Sequence, residues 1–294
     1  MLIDNKHLAG IIPVASQPLD FGFPWSDCLQ PIGPNYLAIE RAVLECAFAG
    51  CKTIWIVAND GAQPLIKSRL GDYVQDPVYI FRKHDPGHIK QNNKRIAIYY
   101  VPVHPNDRDK RDCLSWSVLH GANTAFRVSA NMSRWLKPFK YYIAFPYGVY
   151  NPSILREHRK AIYSEQSFYL EYNGETVKDG EYLGFTFDEE EYKEYRDHLK
   201  KTSTGAYKPT PAGEYPSEKL PLEERYSARY FSLDNVFGIG DTNGAKVVSL
   251  AEYYNIDSWD KLRAYLGSDH RIHRHNSLLK GKLFHRIGEE IEKE

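Results

Sequence analysis

Uninterrupted apolar runs alternate with helical patterns through the first half of the chain. Residues 8–15 read LAGIIPVA, without a polar break. Such a run predicts a strand buried on both faces, as in the middle of a parallel sheet covered by helices. A loop rich in Pro, Gly and aromatics follows over 16–34. Leu37, Ala38, Ala42, Val43, Cys46 and Ala47 then fall on one face of a helix over 36–50, which Gly50 is placed to end. Residues 53–58 (TIWIVA) form a second apolar strand, closed by the turn sequence Asn59-Asp60-Gly61, and 62–70 has a helical pattern. A third strand is expected over 95–102 (RIAIYYVP), a long helix over 114–135 and a fourth strand over 141–145 (YYIAF). Strands separated by helices imply right-handed crossovers and a three-layer, doubly wound, mostly parallel α/β sheet.

The pattern changes after about residue 165. Residues 167–172 and 182–187, with the turn Asn173-Gly174-Glu175 between them, read as an antiparallel pair. Residues 188–201 read as a charged helix capped by Asp188, with acids in its first turn. Helices are expected over 247–254, 258–266 and 277–294. This predicts an α/β domain over 1–200, a linker or exposed loop over 201–222, and a mainly helical C-terminal region over 223–294.

Composition narrows the function classes. The chain has 38 basic and 38 acidic side chains, so no global charge points to nucleic acid or an anionic membrane. No stretch approaches the ~18 apolar residues of a membrane span. The N-terminus lacks the apolar core of a signal peptide. Four scattered cysteines without a C-x-x-C pair suggest reduced thiols and a cytoplasmic location. There is no G-x-S-x-G, H-E-x-x-H or Walker loop. The 22 tyrosines suit wet clefts and interfaces as well as a core.

Residues 10–72 carry a more specific pattern. Pro31-Ile32-Gly33, Ala49-Gly50, Ile54-Trp55-Ile56-Val57 and Leu70-Gly71-Asp72 stand in the order and places of motifs in the nucleotidyltransferase-like branch of the GT-A superfamily, the sugar-phosphate nucleotidyltransferases, and the chain resembles that family over about half its length. The resemblance implies a nucleotide or nucleotide sugar bound at the C-terminal edge of the sheet. A loop after the first strand would bring backbone N–H groups to the phosphates, and Mg2+ would bridge them. Carried onto this sequence, the nucleotide-binding positions are Ala15, Ser16, Gln17, Gly22, Asp60 and Gly121, and the substrate side holds Tyr147 and Gly148. His120 and Asn123, beside Gly121, could line a base pocket.

The chain departs from the family where charge is handled. The family's L-x-A-G-G-x-G-T-R loop is here Val14-Ala15-Ser16-Gln17-Pro18-Leu19-Asp20-Phe21-Gly22. The family's lysine falls near Asp27 and its metal-binding aspartate near Gly148. Asp107, Asp109 and Asp112 are candidates for a substitute metal ligand. The cluster His270, Arg271, His273, Arg274 and His275 could contact an anion or a metal. Two readings stay open: a divergent nucleotidyltransferase acting on a nucleoside triphosphate and a sugar phosphate, or a catalytically inactive module that binds a protein partner or a second copy of itself.

Overall fold

A computed structural model describes residues 6–16, 19, 21–78, 95–133, 136–211, 215–216, 218–269 and 272. The strands are β1 (Leu8–Pro13), β2 (Pro31–Gly33), β3 (Tyr36–Leu37), β4 (Thr53–Ala58), β5 (Tyr73–Gln75), β6 (Arg95–Pro102), β7 (Lys140–Ile143), β8 (Gly148–Val149), β9 (Phe168–Glu171), β10 (Phe185–Phe187), β11 (Lys246–Ser249) and β12 (Tyr254–Asn255). The helices are α1 (Ala38–Ala49), α2 (Gln63–Leu70), α3 (Leu114–Met132), α4 (Leu155–Ile162), α5 (Glu189–Thr202), α6 (Asp234–Phe237) and α7 (Trp259–Gly267).

Eight strands make one sheet in the order β11-β9-β10-β7-β1-β4-β6-β5. Its centre is parallel, as the apolar runs predict: β1 pairs with β4 and β7, and β4 pairs with β6, all in the same direction. All six residues of β1 are buried. The sheet turns antiparallel at β5 and at β10, which opposes both β7 and β9.

The two helical layers can be read from adjacent residues of β1. A Cβ at Gly10 would lie 2.8 Å from Cys46 Sγ on α1. A Cβ at Gly121 on α3 would lie 2.8 Å from Ile11 Cγ2 and 2.8 Å from Val57 Cγ2. Successive side chains of a strand point to opposite faces. Helix α1 therefore covers one face of the sheet and α3 the other. α5 packs beside α3.

The α5 cap forms as expected: the Asp188 carboxylate accepts from Glu190 N at 2.8 Å and Glu191 N at 3.0 Å. The helix expected over 247–254 does not form. Lys246–Ser249 instead pairs in parallel with Phe168–Glu171, and Tyr254–Asn255 pairs with β8. Its β-branched Val247 and Val248 favour the pleated state once a sheet edge is offered. The long helix ends at Met132, three residues before the expected stop. The helix expected over 277–294 lies outside the described residues. All four cysteines are buried and unbridged.

Candidate functional site

The C-terminal ends of β1, β4 and β7 open onto a cleft of about 590 Å³. Val14 and Ser16 line it after β1, Asn59 and Gly61 after β4, and Tyr147 after β7. The parallel sheet thus brings together three segments that are far apart in sequence, at the position where open α/β sheets bind ligands.

The 21–27 loop forms another wall. Phe21 stacks on Phe23 at 5.4 Å and Phe23 on Trp25 at 4.9 Å, with interplanar angles of 13° and 10°. Trp259 of α7 meets Phe23 edge-on at 5.6 Å. Trp25 and Trp259 are 46% and 50% exposed, so an aromatic surface stands open beside the cleft. The loop is tied back on itself: Asp27 Oδ2 accepts from Leu19 N at 2.8 Å. Burial raises the Asp27 carboxyl above its ordinary range, with the Leu19 N–H opposing that shift. Burial also pushes the Tyr147 phenol far up, so it remains a neutral donor.

No Lys, Arg or His lines this cleft among the described residues. Arg41 and Arg108 are committed elsewhere. Arg41, fully buried, donates to Glu45 at 2.8 Å and to the Phe145 carbonyl, while Tyr142 donates to Glu45 at 2.8 Å. This network fastens the end of β7 to α1. Arg108, on the rim, is paired with Asp60 at 2.6 Å.

The expected site residues divide into three groups. Ser16, Gly22 and Tyr147 line the cleft. Gln17 lies outside the described residues. The others turn away from it. Ala15 is buried, and its carbonyl accepts from Ser117 of α3. Asp60 points to Arg108, leaving its neighbours Asn59 and Gly61 to face the cleft. Gly121 serves the close approach of α3 to the sheet, so it is a packing residue. His120 and Asn123 face a separate groove. Gly148 is buried against backbone, since a Cβ there would lie 2.0 Å from the Tyr182 carbonyl oxygen. The sequence pattern named Asn59 only within the turn that closes the second strand, and it did not single out Phe23 or Trp25. The only signal was the unusual aromatic content of the 16–34 loop.

These residues do not fit Mg2+. The position that would carry the metal-binding carboxylate cannot accept any side chain, and Asp27 is spent on the Leu19 amide. Asp109 and Asp112 are paired with Arg229, the latter at 2.8 Å, and Asp107 is paired with Arg111 at 3.3 Å. Among the described residues no three His, Cys, Asp or Glu side chains are grouped to hold a metal. His270, Arg271, His273, Arg274 and His275 lie outside the described residues.

No family model matches the chain, and no curated protein sequence matches it. Solved structures do. A protein assigned as a glucose-1-phosphate thymidylyltransferase from Bacillus anthracis, solved with sucrose, aligns over 93% of this chain and 98% of its own, with a TM-score of 0.53 at 10% identity. A UDP-glucose pyrophosphorylase bound to UDP-glucose aligns over 89% and 97%, with a TM-score of 0.49 at 11% identity. The first likeness spans nearly all of both chains, and it is one of architecture: this chain has the fold of the sugar-phosphate nucleotidyltransferases.

Proposed function

We propose that the protein binds a sugar or the sugar–nucleoside part of a nucleotide sugar in the strand-end cleft, and that it has lost metal-assisted nucleotidyl transfer. The observation that carries this reading is the backbone oxygen of Tyr182 where a Gly148 side chain would begin. A carboxylate at that position would displace the backbone of the 181–184 segment that leads into β10. The lining supports the ligand class. Ser16, Asn59 and Tyr147 offer neutral donors and acceptors, and stacked Phe23 and Trp25 offer a flat apolar face, as uncharged rings with hydroxyls require. A bare triphosphate would meet Asp27 with no cation in the described lining to offset it.

Ser16, Gly22 and Tyr147 are the binding residues on this reading, with Asn59 and Trp25 added. Four reduced thiols support a cytoplasmic location. Among the described residues no helix is long and apolar enough to cross a membrane. Exposed Tyr215 and Tyr230, at 94% and 69%, offer contacts to a protein partner or second copy.

The enzymatic reading keeps one observation in its favour, the placement of the cleft at the ends of β1, β4 and β7. One experiment separates the two. The protein is incubated with Mg2+, a hexose 1-phosphate and each nucleoside triphosphate, and released pyrophosphate is measured. Melting curves are taken in parallel with UDP-glucose, free nucleosides and glucose. The expected result is a rise in melting temperature with a sugar-bearing ligand and no pyrophosphate. Saturation at a hundred times Kd adds about 2.7 kcal/mol of stability. Pyrophosphate release that Trp25→Ala abolishes would establish the enzyme instead.

A further inference from the structure

A second cavity, of about 760 Å³, lies between α3, α5 and the 104–111 loop. Its walls are two helical stripes. Trp116, His120, Asn123 and Arg127 recur at spacings of four, three and four on α3, and Tyr192, Arg196 and Lys200 at four and four on α5. Such spacings place side chains on one face of a helix. At 1.5 Å rise per residue the stripes run for roughly 12–16 Å. The α3 side is the reverse of the Gly121 face that packs on the sheet, so this groove is separate from the strand-end cleft.

Its charge is one-sided, in a chain whose net charge is zero. Arg111, Arg127, Arg196 and Lys200 line it, against one carboxylate, Asp107, which Arg111 already holds at 3.3 Å. Arg127, Arg196 and Lys200 are exposed and make no ion pair among the described residues. Asp197 stands beside Tyr192 on α5, outside the lining. Arg196 and Lys200 are four residues apart, a spacing at which like charges destabilise a helix. The groove also carries aromatic rings: Arg111 lies over the Trp116 ring at 5.0 Å, and Tyr192 faces in from α5. Trp116 Nε1 is buried without a hydrogen-bond partner among the described residues. Burial pulls the His120 imidazole below its ordinary pKa, so at neutral pH it serves as a neutral hydrogen-bonding group whose Nε2 is 3.1 Å from the Pro102 carbonyl.

We infer that this groove binds a small ligand bearing a di- or triphosphate group. Arg127, Arg196 and Lys200 take the phosphates. Guanidinium forks match phosphate oxygens in pairs, and the ammonium adds a point charge. The volume fits a compact small molecule rather than an extended polymer. The phosphate could be inorganic or belong to a nucleotide, in which case Tyr192 or Trp116 would stack on the base. The inference rests on neither reading of the strand-end cleft.

The test is isothermal titration of the full chain, without Mg2+, by inorganic tripolyphosphate and by ATP and UTP in separate arms. Arg127→Ala and Arg196→Ala are each expected to weaken binding about tenfold, the loss typical of a charged hydrogen-bond partner. Asn59→Ala in the cleft should leave the binding of tripolyphosphate unchanged. Raising NaCl from about 50 to 300 mM should weaken binding of the unaltered protein severalfold, because exposed charges are screened. This holds even where a variant fails to fold. Equal affinity for tripolyphosphate and nucleotide places recognition on the phosphates, whereas tighter nucleotide binding adds the rings. Three results would overturn the inference: no heat from any of the three probes at low salt, affinity lost in Asn59→Ala but kept in the arginine variants, or binding of a long polynucleotide alone.

Discussion

The strand-end cleft and the α3–α5 groove differ in where they leave charge. The cleft lies where the fold leads one to expect phosphate chemistry, yet its described lining holds no cation. Arg41 is consumed by Glu45 and the Phe145 carbonyl, and Arg108 by Asp60. The groove lies on the outer helical layer, and there Arg127, Arg196 and Lys200 make no ion pair among the described residues. A buried cation that already has its partners is architecture. An exposed one kept beside like charges is free for a ligand. The comparison therefore separates the fold from the chemistry it carries.

The sharpest way to break the comparison is to restore what the cleft lacks. If Gly148 were a vacant metal-ligand position, Gly148→Asp would fold and gain Mg2+ binding. The 2.0 Å approach of the Tyr182 oxygen makes the opposite the expected outcome. The variant should lose at least about 4 kcal/mol of stability, measured by urea unfolding, at the extreme of single substitutions.

A smaller effect checks that cations near the sheet are structural. Lys140 is 1% exposed and donates to the carbonyls of Ser164 at 2.8 Å and Gln166 at 2.5 Å. Burial lowers its pKa from 10.5 to about 8. The unfolded chain then holds this proton more tightly than the folded one, so the contribution of Lys140 to stability rises with pH between about 8 and 10.5. The gain from pH 8 to 9.5 should be about 1.5 kcal/mol, at 1.36 kcal/mol per pKa unit. The buried thiols of Cys28, Cys46 and Cys113 and buried tyrosines such as Tyr141 have raised pKa values, and they lower stability as pH rises past the ordinary thiol and phenol ranges. Those groups are shared with Lys140→Met, so the gain is read as the change in the stability difference between the two proteins, by urea unfolding of both at both pH values.

The smallest expected effect concerns Asp27. Asp27→Lys places a cation in the cleft and removes the acceptor of Leu19 N, at a cost of about 1 kcal/mol for the lost hydrogen bond. Tripolyphosphate should then show a second, weaker binding event by titration. A single unchanged event would mean that more than charge keeps phosphate out of the cleft.

Much of the sheet was legible from local pattern. The runs at 8–15 and 53–58 announced strands buried on both faces, because only helix-covered parallel strands can be apolar throughout, whereas 95–102 leaves Arg95, Tyr99 and Pro102 exposed. The 247–254 segment was misjudged because Val247 and Val248 suit a helix face or a sheet edge equally well until β9 supplies a partner. The site was harder to read. Ser16, Gly22 and Tyr147 followed from their places at strand ends, whereas Ala15, Asp60 and Gly121 have the same sequence credentials and turn elsewhere.

By itself, the amino-acid order determined the parallel core, the capped α5 helix and the absence of the family's charge-handling residues from their motif positions. Those are properties of residue type and spacing along one segment. Tertiary structure alone decided that Gly148 meets the Tyr182 carbonyl, that Asp60 is drawn off by Arg108, and that stripes on α3 and α5 close into one cationic groove. Each depends on segments between 34 and 84 residues apart in sequence, brought together by burial, and no local periodicity encodes such a meeting.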